Sequence, residues 1–180
     1  AQLIDEILPY ARLEQGPPNI EFKPVLLGEL CEQLREELET IRGDTVITVE
    51  CDQPTLEVEA EERYLHRVLQ NLVTNALRYA GSRIVMVVEG TESQVVIHVD
   101  DNGPGIPEHE RERVFKPFAR LDKSRHRASG GYGLGLSIVK RIVDWHGGDI
   151  RVDESPMGGA RFTVILPRHQ QGQHVLGRVN

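Results

Sequence analysis

The chain has 180 residues and a formal net charge of −7, with 39% apolar and 27% charged side chains, a profile of one globular domain rather than a disordered chain. Four Phe, four Tyr and one Trp on an acidic chain argue against general nucleic-acid binding, which needs a basic surface with stacking platforms. No apolar run nears the roughly 18 residues of a membrane span, no basic signal-peptide start precedes Leu3, and Cys31 and Cys51 lack the spacing of a disulfide framework or zinc knuckle, which fits a reducing, cytoplasmic setting.

Leu3, Ile4, Ile7, Leu8 and Ala11 share one helical face, which Pro9 kinks or delays. Gly16-Pro17-Pro18 is the strongest break in the chain, so 16–19 is predicted to be a linker and 20–167 the domain. Leu26 to Ile41 predicts an amphipathic helix ended by Gly43. Val46–Cys51 and Thr55–Glu59 predict strands flanking a Gln53-Pro54 turn. A long helix is expected over 61–80, closed by Gly81. Strands follow at Arg83–Glu89 and Gln94–Asp100. The stretch 102–133 is glycine-rich and irregular, with a short helical piece near Glu108–Val114, and segments of that kind are functional or disordered. A helix from about Gly133 to His146 stops at Gly147-Gly148. Strands Asp149–Asp153 and Ala160–Leu166 close the domain, and 168–180 is expected to be a disordered tail.

Common catalytic motifs fail on inspection. Gly131-Tyr132-Gly133-Leu134-Gly135 lacks the third glycine of a dinucleotide fingerprint and the Lys of a phosphate-binding P-loop. His109-Glu110 begins a zinc-protease motif that Arg113 breaks, and Ser137 lacks the glycines of a nucleophile elbow. Three segments remain, each open to two readings. Asn71, Asn75 and Arg78 share one face of the long helix, either as a solvated face or as neutral hard ligands suited to Mg²⁺ beside phosphates. Asp101-Asn102-Gly103-Pro104-Gly105-Ile106 is either an ordinary turn or a strand-end carboxylate beside bare backbone, open to a purine edge. Gly131, Gly133 and Gly135 make either a flexible loop or a helix start whose amides suit phosphate oxygens.

In order and spacing, these segments resemble the ATP-binding catalytic domain of bacterial sensor histidine kinases, in the GHKL or Bergerat-fold superfamily. Asn71–Ala80 is similar to the N box, Asp101–Gly105 to the G1 box, Val114–Phe118 to the F box and Gly131–Gly135 to the G2 box. The run from Phe118 to Asp122 and the glycines from Gly130 resemble RstB-type or osmosensor-type members. Residues 1–15 resemble the end of a dimerisation helix. The resemblance implies a two-layer α/β sandwich, with a mixed five-stranded sheet on three helices and a mobile ATP lid over 107–132. It implies Asn75 as the Mg²⁺ ligand, Asn71 and Arg78 near the phosphates, and Tyr79 lining the nucleotide. Asp101 would accept from the adenine amino group, and Gly103, Gly105 and Ile106 would pass close to the base. Gly133 and Gly135 would hinge the lid, Gly131, Leu134 and Leu136 beside them would contact the nucleotide, and Lys123, Arg125 and Arg127 would reach phosphate.

Superfamily ATP hydrolases carry a water-activating glutamate four residues before the Mg²⁺ asparagine. Asn71 stands there instead and cannot act as a base at neutral pH. That favours γ-phosphate transfer to a histidine. None of the seven histidines has the context of the family's acceptor box, so the acceptor is expected on the dimerisation domain of a homodimeric parent. The parent is expected to be an inner-membrane sensor feeding a response regulator. A nucleotide-gated interaction module without productive transfer is the alternative.

Overall fold

In the computed structural model, residues 19–79, 81–117 and 135–170 are described. Alternation of apolar side chains builds the central sheet: Ile84, Met86 and Val88 of β4 (Arg83–Gly90) and Val95, Ile97 and Val99 of β5 (Gln94–Asp101) all point one way and are buried. Strands β6 (Asp149–Glu154) and β7 (Ala160–Pro167) extend this face with Ile150, Val152, Phe162, Val164 and Leu166. On the other edge β2 (Val46–Cys51) adds Ile47. The five strands run in the order β2-β4-β5-β7-β6, with β2-β4 parallel and the remaining pairs antiparallel.

Three helices cover the apolar face. Helix α1 (Leu27–Glu37) buries Leu27, Leu30, Cys31 and Leu34, and α2 (Glu62–Tyr79) buries Leu65, Val68, Leu69, Leu72, Val73 and Ala76. Helix α3 (Gly135–Trp145) buries Ile138, Val139, Ile142 and Val143. These stripes recur every three to four residues, and burying each large aliphatic chain stabilises the fold by about 1.5–3 kcal/mol. Both cysteines are free thiols, and burial pushes the Cys31 thiol up to about 12. The expected α/β sandwich of a mixed five-stranded sheet on three helices is thus the observed one.

Four differences from expectation have local causes. The sequence suggests a helix already at Leu26, yet Lys23–Leu26 forms a strand, β1, paired antiparallel with β3 (Glu57–Ala60) in a separate two-stranded sheet. Helix α1 ends at Glu37, and turn residues 38–41 follow it directly, before Gly43, whose φ is +60°. Residues 108–115 form two 3-10 turns, Glu108–Glu110 and Arg113–Phe115, rather than one helical piece. Finally, order persists beyond 167. Arg168 donates from its backbone to Ser93 (2.8 Å) and from Nη1 to Thr91 O (2.9 Å), and its carbonyl accepts from Glu59 N. Gln170 reaches Glu59 and the carbonyl of His146.

His146, only 1% exposed, joins four pieces of the chain. Its Nε2 accepts from Glu61 N at 3.2 Å, which fixes the proton on Nδ1, and Nδ1 donates to Ile142 O at 2.9 Å. Phe22 meets its ring edge-on at 5.3 Å, and burial pulls its pKa down. The lead into α2, the end of α3 and the segment before β1 therefore converge on one neutral imidazole, and Gln170 after β7 donates to the backbone carbonyl of the same residue.

Candidate functional site

Two consecutive acids at the end of β5 are parted by the two-residue period of the strand. Asp100 lies on the face away from the helices and takes a bidentate pair from Arg161, with Nε–Oδ1 at 2.7 Å and Nη2–Oδ2 at 2.8 Å. Asp101 pairs with Ile84 across the ladder and so faces the helices. It is 5% exposed and pairs with no cation among the described residues. Instead, Oδ1 accepts from Gly103 N at 2.9 Å and Ala160 N at 3.1 Å, while Oδ2 makes no hydrogen bond among the described residues.

Burial pushes the Asp101 carboxyl above its ordinary range, the two amides pull it back, and the Asp100 charge pushes it up again. Glycine is obligatory beside it at two points. A Cβ at Gly159 would collide with Asp101 Oδ1 and with Gly103 N, and Gly105 has φ +78°. The arrangement is a buried acceptor with one saturated oxygen and one left for a donor from outside the protein, a fit to an aromatic amino group.

Helix α2 presents its second wall. Asn71 and Asn75 are half-buried on the side away from the core stripe, Arg78 is exposed and Tyr79 half-buried. Asn71 Nδ2 donates to Gly135 O at 3.4 Å, tying α2 to the first residue of α3. The Asn75 amide makes no hydrogen bond among the described residues, whereas neighbouring Thr74 folds its hydroxyl back onto Gln70 O at 2.8 Å. Among the described residues no group of three or more His, Cys, Asp or Glu could hold a metal. A hard cation here would rest on the unengaged amide of Asn75 together with ligand oxygens, a donor set that suits Mg²⁺.

Ile106 and Leu136 pack half-buried against the core, and Arg111 Nε holds Ile106 O at 3.0 Å. Phe115 stands edge-on to Phe162 at 6.1 Å. A Cβ at Gly135 would meet nothing within 4 Å, so crowding does not demand glycine there. Gly131, Gly133, Leu134, Phe118, Lys123, Arg125 and Arg127 lie outside the described residues, as does 118–132 of the expected lid. The structure thus brings the 71–79 and 101–106 segments and residues 135–136 onto one sheet end and its covering helices. Sequence reasoning missed Gly159 and Ala160, whose pairing with Asp101 spans 59 residues, and Asn102, which looks like turn chemistry. The Gly158-Gly159 turn was visible, but nothing local says which carboxylate it approaches.

The described residues thus offer a strand-end carboxylate with one unengaged oxygen and, on α2, one unengaged amide at Asn75. Residues 60–170 match the family described as histidine kinase-, DNA gyrase B-, and HSP90-like ATPase, and the chain belongs to that family. Among curated relatives, sensor protein RstB of Escherichia coli (strain K12) is 35% identical over 165 residues, covering 92% of this chain and 38% of that protein. The chain therefore spans well under half the length of such relatives. Among solved structures, the catalytic domain of histidine kinase ThkA is 33% identical with a TM-score of 0.73, over 84% of this chain and 100% of that one. Full-length ShkA in complex with AMPPNP is 26% identical with a TM-score of 0.78, over 96% of this chain and 36% of that one.

Proposed function

We propose that this chain is the catalytic part of a sensor histidine kinase, which binds Mg²⁺-ATP and passes the γ-phosphate to a histidine of the kinase's dimerisation domain that lies outside this chain. The observation that carries it is Asp101, buried with one oxygen unengaged among the described residues, and it is supported by an Asn75 amide on α2 that makes no hydrogen bond among them. The likeness to the ThkA catalytic domain over that domain's whole length supports the kinase branch of the family.

Asp101 orients the base by accepting from the adenine amino group and, being an acceptor, rejects the guanine carbonyl. Asn75 and Asn71 hold the phosphate end, Asn75 as ligand to Mg²⁺ and Asn71 at the start of α3. Arg78 and Tyr79 continue that wall. Bound Mg²⁺ would neutralise charge on the phosphate oxygens during transfer. Asn71 offers no base for water, so the γ-phosphate waits for an imidazole nucleophile. Residues 1–15 are read as the end of the dimerisation helix bearing that imidazole, 16–19 as the linker, and 171–180 as a tail beyond the domain. The parent is a homodimeric membrane sensor whose partner is a response regulator, a reading supported by the solved complex of ThkA with response regulator protein TrrA. No helix among the described residues is long and apolar enough to cross a membrane.

Titration of a fluorescent ATP analogue with and without Mg²⁺ tests the site. Asn75→Ala should weaken Mg²⁺-dependent binding about tenfold or more, the cost of one lost charge-assisted contact. Thr74→Ala, which deletes a hydroxyl already bonded to its own helix, should change it little. Equal effects would remove Asn75 as the ligand.

A further inference from the structure

Asn102, directly after the adenine-facing Asp101, belongs to neither the nucleotide wall nor a turn hydrogen bond of its own. Its side chain crosses to the connection that leaves α2. Oδ1 accepts from Ser82 N at 2.8 Å and Arg83 N at 3.0 Å, and Nδ2 donates to Ser82 Oγ at 3.0 Å. A Cβ at Gly81 would stand 3.1 Å from Asn102 O and 3.2 Å from Oδ1, so the connection is pressed against this residue. Ser82 is held from the other side as well, its carbonyl accepting from Val46 N of the edge strand at 2.9 Å. The backbone ladder between β4 and β5 ends at the Ile84–Asp101 pair. One step beyond it, the Asn102 amide does what backbone would do, and carries the strand's grip on to the last residues after α2.

We propose that Asn102 is a positioning residue that fixes the C-terminal turn of α2, with Arg78 and Tyr79, at a set distance from Asp101. It couples the end of the site that takes the base to the end that takes the phosphates. This rests on the assignment of Asp101 to adenine and of Arg78 to phosphate. Three hydrogen bonds from one planar amide leave the connection little freedom, and only asparagine or aspartate offers that acceptor at that reach. Without them, two backbone donors lose their partner, and the turn bearing Arg78 is tethered to β5 only from Ile84 onward. Base recognition by Asp101, whose own amide partners are Gly103 and Ala160, does not pass through this clip.

The test compares adenosine with Mg²⁺-ADP as competitors of a fluorescent ATP analogue on the full chain. In Asn102→Ala, affinity for Mg²⁺-ADP should fall about tenfold, the order of one hydrogen bond's net contribution, while affinity for adenosine stays near that of the unchanged protein. Asn102→Asp keeps an acceptor for both amides and can accept a hydrogen bond from the Ser82 hydroxyl, so it should recover most of the ADP affinity. Amide hydrogen exchange at Ser82 and Arg83 should quicken in Asn102→Ala and not in Asn102→Asp. Equal loss of adenosine and ADP would make Asn102 a fold residue only, and unchanged ADP affinity, or no recovery with aspartate, would overturn the clip. If the alanine variant does not fold, Asn102→Ser, whose shorter side chain cannot span both backbone donors, carries the same comparison. Absence of binding of either competitor to the unchanged protein would instead refute the nucleotide site itself.

Discussion

At Asp101, two amides saturate one carboxylate oxygen and the backbone of Gly159 shuts off that side. The remaining oxygen only accepts, which sets the preference for a base with an amino donor. In Asp101→Asn, the amide oxygen can keep the bonds to Gly103 and Ala160 and turn its NH₂ outward. ATP should then bind more weakly, and GTP relatively better, so that the preference for ATP shrinks by about tenfold to a hundredfold, the 1–3 kcal/mol of a mismatched polar pair. Competition between the two nucleotides measures it, and an unchanged preference would remove Asp101 from base recognition. The residues of this site that were legible in the sequence, Asn71, Asn75, Arg78 and Asp101 with its following glycines, announce themselves locally by helical or strand-end spacing. Gly159 and Ala160 were not, because their role exists only once β7 lies beside β5.

Elements with a repeating apolar stripe, α2, α3 and strands β4 to β7, were readable to within about two residues, since a buried face leaves a period in the sequence. β1 was not. It is four residues long, contains Pro24 and runs straight into α1, and its partner β3 lies some thirty residues away. The charged run at 108–113 has no apolar stripe to hold an α-helix, and two 3-10 turns result. The His146 junction is an element-scale feature with a pH signature. Its imidazole is buried neutral, so its folded pKa lies below the ordinary 6.5, and the unfolded chain binds the proton more readily. Stability should therefore be full above about pH 6.5 and fall as the pH drops through and below that value, levelling off under the folded pKa. His98 is shifted the same way by burial and by Arg161 and shares the slope. Thermal melts from pH 7.5 to 5 should show a falling melting temperature. His146→Gln should start lower, by about 1–3 kcal/mol for a disturbed buried hydrogen-bond pair, and lose stability less steeply with acid. An equal slope in the two proteins would assign the acid sensitivity elsewhere.

For the molecule as a whole, the fold places a nucleotide wall on one sheet end while the chain matches only part of the length of relatives such as RstB. We propose a division of labour in which this segment holds and orients ATP and the histidine that receives phosphate sits on another. The architecture was legible because each covering element carries its own stripe. The division is proposed from the sequence, in which none of the seven histidines has the expected acceptor context. The most direct measurement supplies the chain with γ-labelled ATP, Mg²⁺ and a separately produced dimerisation domain of its parent. The chain alone should stay unlabelled and hydrolyse ATP slowly, and the added domain should gain label that is lost in acid and kept in base, as phosphohistidine is. Transfer should be slower than in the tethered protein, because separation discards the effective concentration of the linker. Stable histidine labelling of the chain itself, or tight ATP binding with no transfer to the dimerisation domain, would contradict the account.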